Sequence, residues 1–149
     1  MIPPSPPHVI VLDGSPLYAL VHGRLFTSDG YRVTTLTNCG IDPEEVLLLV
    51  PDLIVIDLLC AGAVGGLTFL RRLRNLPGGG DVPVIASTPA SRIHDERFMV
   101  ELGVLGVAVF DGFGFYDDLL VAARAATTQV HEVRKRMRTS DDDCVTVQR

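Results

Sequence analysis

The sequence of 149 residues has no tryptophan, three cysteines and a single lysine, Lys135, set against twelve arginines. The cysteines, at 39, 60 and 144, show no paired spacing, which argues against a disulfide framework and against a zinc site. They point to a reducing, cytoplasmic setting, with Cys60 a buried inert thiol. No apolar run approaches the ~18 residues that a membrane span needs. Residues 1–7 lack the basic and apolar segments of a secretory signal, and their four prolines read as an extended leader. Cation is in deficit as well: the net charge is −5, so no broad surface attracts a nucleic acid backbone. Apolar material is plentiful. At 47% hydrophobic, the chain can fill the core of one domain.

The centre of the chain is residues 51–57, PDLIVID. A short apolar run that stops on an acid reads as a strand buried on both faces, as parallel sheets produce. Residues 8–13 (HVIVLD) form a second such run, and Gly14-Ser15-Pro16 turns into a helix through residue 28, with Leu17, Leu20, Val21, Arg24 and Leu25 at helical spacing. Residues 31–36 read as a strand nearer the edge, and a short helix capped by Asp42 and Pro43 precedes the central strand. A Gly-containing loop over 58–66 leads to an amphipathic helix over 67–76, with Leu67, Phe69, Leu70 and Leu73 inward. A strand over 82–87, a helix over 91–102 closed by Gly103, a strand over 104–110 and a last helix from about Tyr116 complete the pattern. Five β-α units imply a doubly wound, five-stranded parallel sheet. The expected organisation is a leader over 1–7, one domain over 8–138 and a loose acidic tail over 139–149.

Ligand chemistry in open α/β sheets gathers outside the carboxyl ends of the strands, at the switch point. Asp13 and Asp57 end the first and third strands, which would be neighbours there, with Thr88 beyond the fourth. Two carboxylates and a hydroxyl in one crevice suit Mg²⁺ and a phosphate. An acid at a strand end also serves simply as a loop residue or helix cap. His22 and His94 have no metal or triad spacing, and neither Ser15 nor Ser87 sits in a nucleophile elbow. The Gly-rich phosphate loops of dinucleotide and nucleoside triphosphate sites are missing after the first strand, and Gly112-Phe-Gly114 is too short to replace them.

In their order and spacing, PDLIVIDL at 51–58, FLRRLR at 69–74, VPVIAST at 82–88 and ELGV at 101–104 resemble the receiver domain of two-component response regulators, a CheY-like, flavodoxin-like α/β fold. The resemblance covers about residues 8 to 128. It implies that Asp57 accepts a phosphoryl group from a kinase phosphohistidine and that Thr88 is the switch hydroxyl. It also implies Mg²⁺ held by Asp13, Asp57 and the backbone carbonyl of Leu59. The implied partners are a sensor histidine kinase or phosphotransfer protein and an output protein; the implied role is signalling rather than enzymatic. Any homodimer would use the face of the fourth helix, fifth strand and last helix.

The chain departs from the family pattern at definable positions. The family's acidic pair falls on Asp13 and Gly14, so one acid is missing. Its lysine falls near Phe110 or Asp111, and Lys135 lies too far along the last helix to replace it. Its aromatic switch position falls near Val107. Mg²⁺ binding is therefore expected to be weak, and the lost ammonium removes about 1.5–3 kcal/mol of stabilisation from a phosphoryl group. The reading is an atypical receiver. The alternatives are a phosphorylation-independent pseudo-receiver that acts as an interaction or dimerisation module and, more remotely, a flavodoxin-like small-ligand binder or enzyme.

The last helix carries Val130, Val133 and Met137 on one side and Arg134 to Arg138 around it. Such a helix serves as a partner surface, or simply overruns its domain with cations that complement its dipole.

Overall fold

A computed structural model describes residues 4–60, 65–111 and 116–145. Five strands, β1 (His8–Leu12), β2 (Arg32–Leu36), β3 (Leu53–Asp57), β4 (Val84–Thr88) and β5 (Val107–Asp111), form one sheet in the order β2-β1-β3-β4-β5, and every pairing is parallel. The expected doubly wound α/β architecture is present. All strands run the same way, and it is the direction in which successive strands are added that reverses between β1 and β3, which pair in register from Val9↔Leu53 to Leu12↔Ile56.

Alternate residues of each strand feed two cores. Ile10, Leu12, Ile54, Ile56, Val84 and Ala86 pack on one face against α2 (Pro43–Leu48), α3 (Gly65–Asn75) and α5 (Glu96–Val104). Val9, Val11, Leu53, Val55 and Ile85 pack on the other against α1 (Pro16–Ser28) and α6 (Tyr116–Val145). The period-2 pleat makes one continuous apolar run serve both layers.

Several boundaries differ from the sequence reading for physical reasons. The stretch over 91–102 is two helices, α4 (Ala90–Ile93) and α5, because the Asp95 side chain accepts from Phe98 N–H at 3.3 Å and starts a new helix. Gly103 does not close it. The helix continues through Val104, and the left-handed residue is Gly106, at φ +66°. In α1 the regularly spaced Leu17 and Leu20 are exposed, and Ala19, His22, Gly23 and Phe26 face inward. A Cβ on Gly23 would meet Thr35 Cγ2 at 3.0 Å, so small residues let this helix lie against the sheet. The part of the acidic tail up to Val145 is helical, since α6 propagates from an established helix at little cost per residue. Residues 61–64 of the Gly-containing loop, and 112–115 with Gly112-Phe-Gly114, lie outside the described residues.

Two arginines fasten the amino ends of the strands. Arg134 of α6 pairs with Asp52 at 2.5 Å, and Asp52 also accepts the His8 N–H at 2.8 Å, so one cation of the basic helix end is structural. Arg74 of α3 is a hub. Its guanidinium donates to the carbonyls of Leu105 at 2.7 Å, Gly79 at 2.8 Å and Val82 at 2.7 Å, with longer bonds to Gly80 and Gly106. Those carbonyls belong to the loops entering β4 and β5 and have no intrahelical or ladder partner to fall back on. Arg74→Met keeps the stem and removes the donors. We expect it to cost about 2–4 kcal/mol, read as a lower urea midpoint at unchanged m-value; an unchanged midpoint would show that water replaces these bonds freely.

Candidate functional site

The carboxyl ends of β1, β3 and β4 converge on a cleft of about 160 Å³ lined by Asp13, Tyr18, His22, Asp57, Leu59, Ser87, Thr88 and Pro89. Register sets this meeting. Leu12 pairs with Ile56, so Asp13 and Asp57 leave adjacent strands at the same level, and Asp57 pairs with Ser87, one residue before Thr88. All four positions singled out in the sequence, Asp13, Asp57, Leu59 and Thr88, line this one cleft.

Each acid is held by the turn that follows it. Asp13 is 5% exposed, and its Oδ1 accepts the Ser15 N–H at 2.9 Å. Ser15 in turn caps α1 by accepting from Tyr18 N–H. Asp57 Oδ1 accepts the Leu59 N–H at 3.0 Å, and the Asp57 carbonyl accepts the Cys60 N–H at 3.0 Å, which closes the turn after β3. Thr88 is 1% exposed, and its Oγ1 has no hydrogen-bond partner among the described residues. A buried hydroxyl of this kind calls for a polar occupant in the cleft.

Burial raises the Asp13 carboxyl above its ordinary value; the Ser15 N–H opposes that rise, and the nearby Asp57 charge adds to it. His22 is the residue that sequence reasoning passed over. It is 4% exposed, its Nδ1 lies 3.9 Å from Asp13 Oδ2, and its ring meets Tyr116 edge-on at 5.8 Å. Burial lowers its pKa, against the pull of Asp13 and Asp57, so it is mainly neutral at pH 7. A lone histidine mid-helix carries no sequence signal of this placement.

Among the described residues no lysine or arginine lines the cleft. Asp111 ends β5 opposite Thr88, and Val107 begins that strand opposite Val84, so neither a cation nor an aromatic side chain occupies the corresponding position. The donor set fits a hard divalent cation modestly. Two carboxylates and the Leu59 segment border one cleft, and the Asp57 charge disfavours charge on the buried Asp13 until a cation lies between them. Among the described residues no cluster of three or more acidic, His or Cys side chains could hold a metal.

The reading of three unrelated thiols is overturned. Cys39 and Cys60 form a disulfide, with Cα atoms 5.3 Å apart. The β2-β1-β3 order brings the loops after β2 and β3 together over the turn after β1, although the two cysteines are 21 residues apart in sequence. Sequence spacing cannot report such a meeting. A Cβ on Gly14 would stand 3.1 Å from Cys39 Sγ and 3.9 Å from Cys60 Sγ. Sulfur thus fills the space beside the position where a second acid would project.

The parallel sheet and the acid-lined cleft at its switch point define a doubly wound α/β module. No protein-family model matches the chain, and no curated protein matches it in sequence. Solved structures do. The signal receiver domain of an HD domain-containing protein from Pseudomonas fluorescens superposes with a TM-score of 0.71 at 18% identity, covering 91% of this chain and 97% of that one. The chemotaxis protein CheY4 of Vibrio cholerae gives 0.70 at 16% identity over 81% and 98%. The receiver domain of a signal transduction histidine kinase from Syntrophus aciditrophicus gives 0.67 at 20% identity over 83% and 92%. The chain has the fold of response-regulator receiver domains. Among the described residues no helix is long and apolar enough to cross a membrane.

Above its raised pKa, Asp13 must be held charged in a buried site, so it costs stability at pH 7; below the ordinary value of 3.8 both folded and unfolded chains are protonated and the cost is gone. Asp13→Asn, which keeps the acceptor for Ser15 N–H, should therefore raise Tm at pH 7 in metal-free buffer. The gain should shrink as pH falls toward 3.8. A lower Tm at pH 7 would contradict this account.

Proposed function

We propose that the chain is an atypical receiver in two-component signalling, with Asp57 as the phosphoryl acceptor. The observation that carries this reading is the convergence of Asp13, Asp57 and the unpartnered Thr88 hydroxyl on one cleft at the switch point. The receiver folds that the chain superposes on support it. The donor would be the phosphohistidine of a sensor kinase or phosphotransfer protein, and the phosphorylated form would be read by an output protein.

The chemistry asks little of the protein beyond placement and charge. Asp57 Oδ1 is engaged by the Leu59 N–H, which leaves Oδ2 as the attacking atom. The O–P bond forms as the donor's N–P bond breaks, and the electron pair stays on the histidine nitrogen. The Thr88 hydroxyl would donate to a phosphoryl oxygen, which would satisfy its orphaned Oγ1. Asp13, Asp57 and the Leu59 carbonyl are the groups that would hold Mg²⁺, which when bound supplies positive charge against the phosphoryl oxygens. Asp13 and His22 bound the cleft and hold its geometry through the Asp13–Ser15 turn.

The cleft without lysine or arginine favours a second reading, a pseudo-receiver that ignores phosphate and serves as an interaction module. A contact that changes between states is what lets a phosphoryl group switch a fold, and one such contact is missing.

Acetyl phosphate with Mg²⁺ separates the two. The acceptor reading expects a gain of one phosphoryl group in intact mass, lost in Asp57→Asn. Thr88→Ala should slow the gain about tenfold, the loss of one charge-assisted hydrogen bond. No gain in the unmodified chain, with the fold intact by circular dichroism, would establish the pseudo-receiver instead.

A further inference from the structure

We infer that Cys39–Cys60 is a reversible disulfide, a redox switch on the turn that follows Asp57. Two of three cysteines meet at the end of the turn that follows Asp57, next to Leu59 of the cleft lining, and bridge the loops after β2 and β3. Neither lies within a helix or strand. Cys60 is 4% exposed and Cys39 is half-buried, so Cys39 is the more accessible partner of the pair. Gly14 leaves room for the meeting, because a Cβ there would crowd Cys39 Sγ at 3.1 Å and touch Cys60 Sγ at 3.9 Å.

The link reaches the acceptor through a short path. Cys60 N–H donates to the Asp57 carbonyl and Leu59 N–H donates to the Asp57 carboxylate, so residues 57 to 60 form one hydrogen-bonded turn. The disulfide ties the last residue of that turn to the loop after β2. Reduction releases the tie and leaves the turn held by its own two bonds. The chemistry is thiol–disulfide exchange with a low-molecular-weight disulfide such as glutathione disulfide. The Cys39 thiolate attacks one of its sulfurs and expels a glutathione thiolate. The Cys60 thiolate then attacks the Cys39 sulfur of the mixed disulfide and expels the second. The protein loses two protons and two electrons, and the oxidant becomes two thiols.

The consequence for Asp57 rests on its role as acceptor, but the switch itself does not, and the test keeps them apart. The full chain carrying Cys144→Ser is equilibrated over a series of reduced-to-oxidised glutathione ratios. The linked Cys39–Cys60 peptide is then quantified by mass spectrometry, and amide exchange is followed at Leu59 and Cys60. The expected result is full interconversion within the glutathione series and protection at these amides about threefold or more higher in the linked form. Cys39→Ser, altered at the less buried partner, should show the reduced-form exchange at every ratio. Acetyl phosphate labelling of Asp57 should differ between linked and reduced forms. Absence of the linked peptide at every ratio, a link that glutathione does not open, or identical amide protection in both forms would each overturn the switch. A switch that opens and closes while neither form gains a phosphoryl group would leave it standing and remove the acceptor role.

Discussion

Everything in the candidate site depends on the parallel pairing of β1 with β3. Leu12 stands opposite Ile56, and so the chain leaves both strands at one level of the sheet, each time on an aspartate. A slip of one residue would turn the alternating apolar residues of β3 to the wrong layer, because each layer takes every second side chain. The two cores, one against α2, α3 and α5 and the other against α1 and α6, therefore enforce the register that brings the acids together. Packing in the interior sets the chemistry at the rim.

That arrangement has an electrostatic cost that the site does not cancel from within. Asp13 is buried, Asp57 is close enough to disfavour its charge, and the neighbouring His22 is itself biased toward the neutral form by burial. A cation facing the pair would relieve this, yet Arg71, Arg72, Arg74, Arg124 and Arg134 are committed elsewhere. Arg74 and Arg134 bind carbonyls and a carboxylate at the amino ends of the strands, and Arg71 pairs with Glu101 on the surface. Cations that stabilise the fold thus sit away from the cleft, and what the cleft keeps is two carboxylates and a Thr88 Oγ1 without a partner among the described residues.

The position after Asp13 shows how a departure from a pattern acquires a structural meaning. Read alone, Gly14 is a missing acid. In the fold it is the residue beside which Cys39 and Cys60 close, with room for hydrogen only, since a Cβ there would stand 3.1 Å from Cys39 Sγ. The turn after β3 is consequently joined to the loop after β2 by a covalent bond as well as closed by backbone hydrogen bonds.

Local sequence specifies the alternation of strands and helices and the acids at the ends of the first and third strands. Apolar runs stopping on Asp13 and Asp57, helical spacing at Leu67, Leu70 and Leu73, and Pro and Asp at helix starts are local signals, each carried by a few consecutive residues. The tertiary structure alone decided what touches across long separations. The Cys39–Cys60 bond, the entry of His22 into the cleft, the outward turn of Leu17 and Leu20 and the carbonyl hub at Arg74 all join segments that the sheet order brings together. The periodicity of α1 was visible, but its buried face was not, because the close approach of Gly23 to Thr35 overrides the pull of the larger apolar side chains. Spacing along a chain encodes local geometry; contacts between loops depend on which strands lie side by side, and that is settled only when both faces of the sheet are packed.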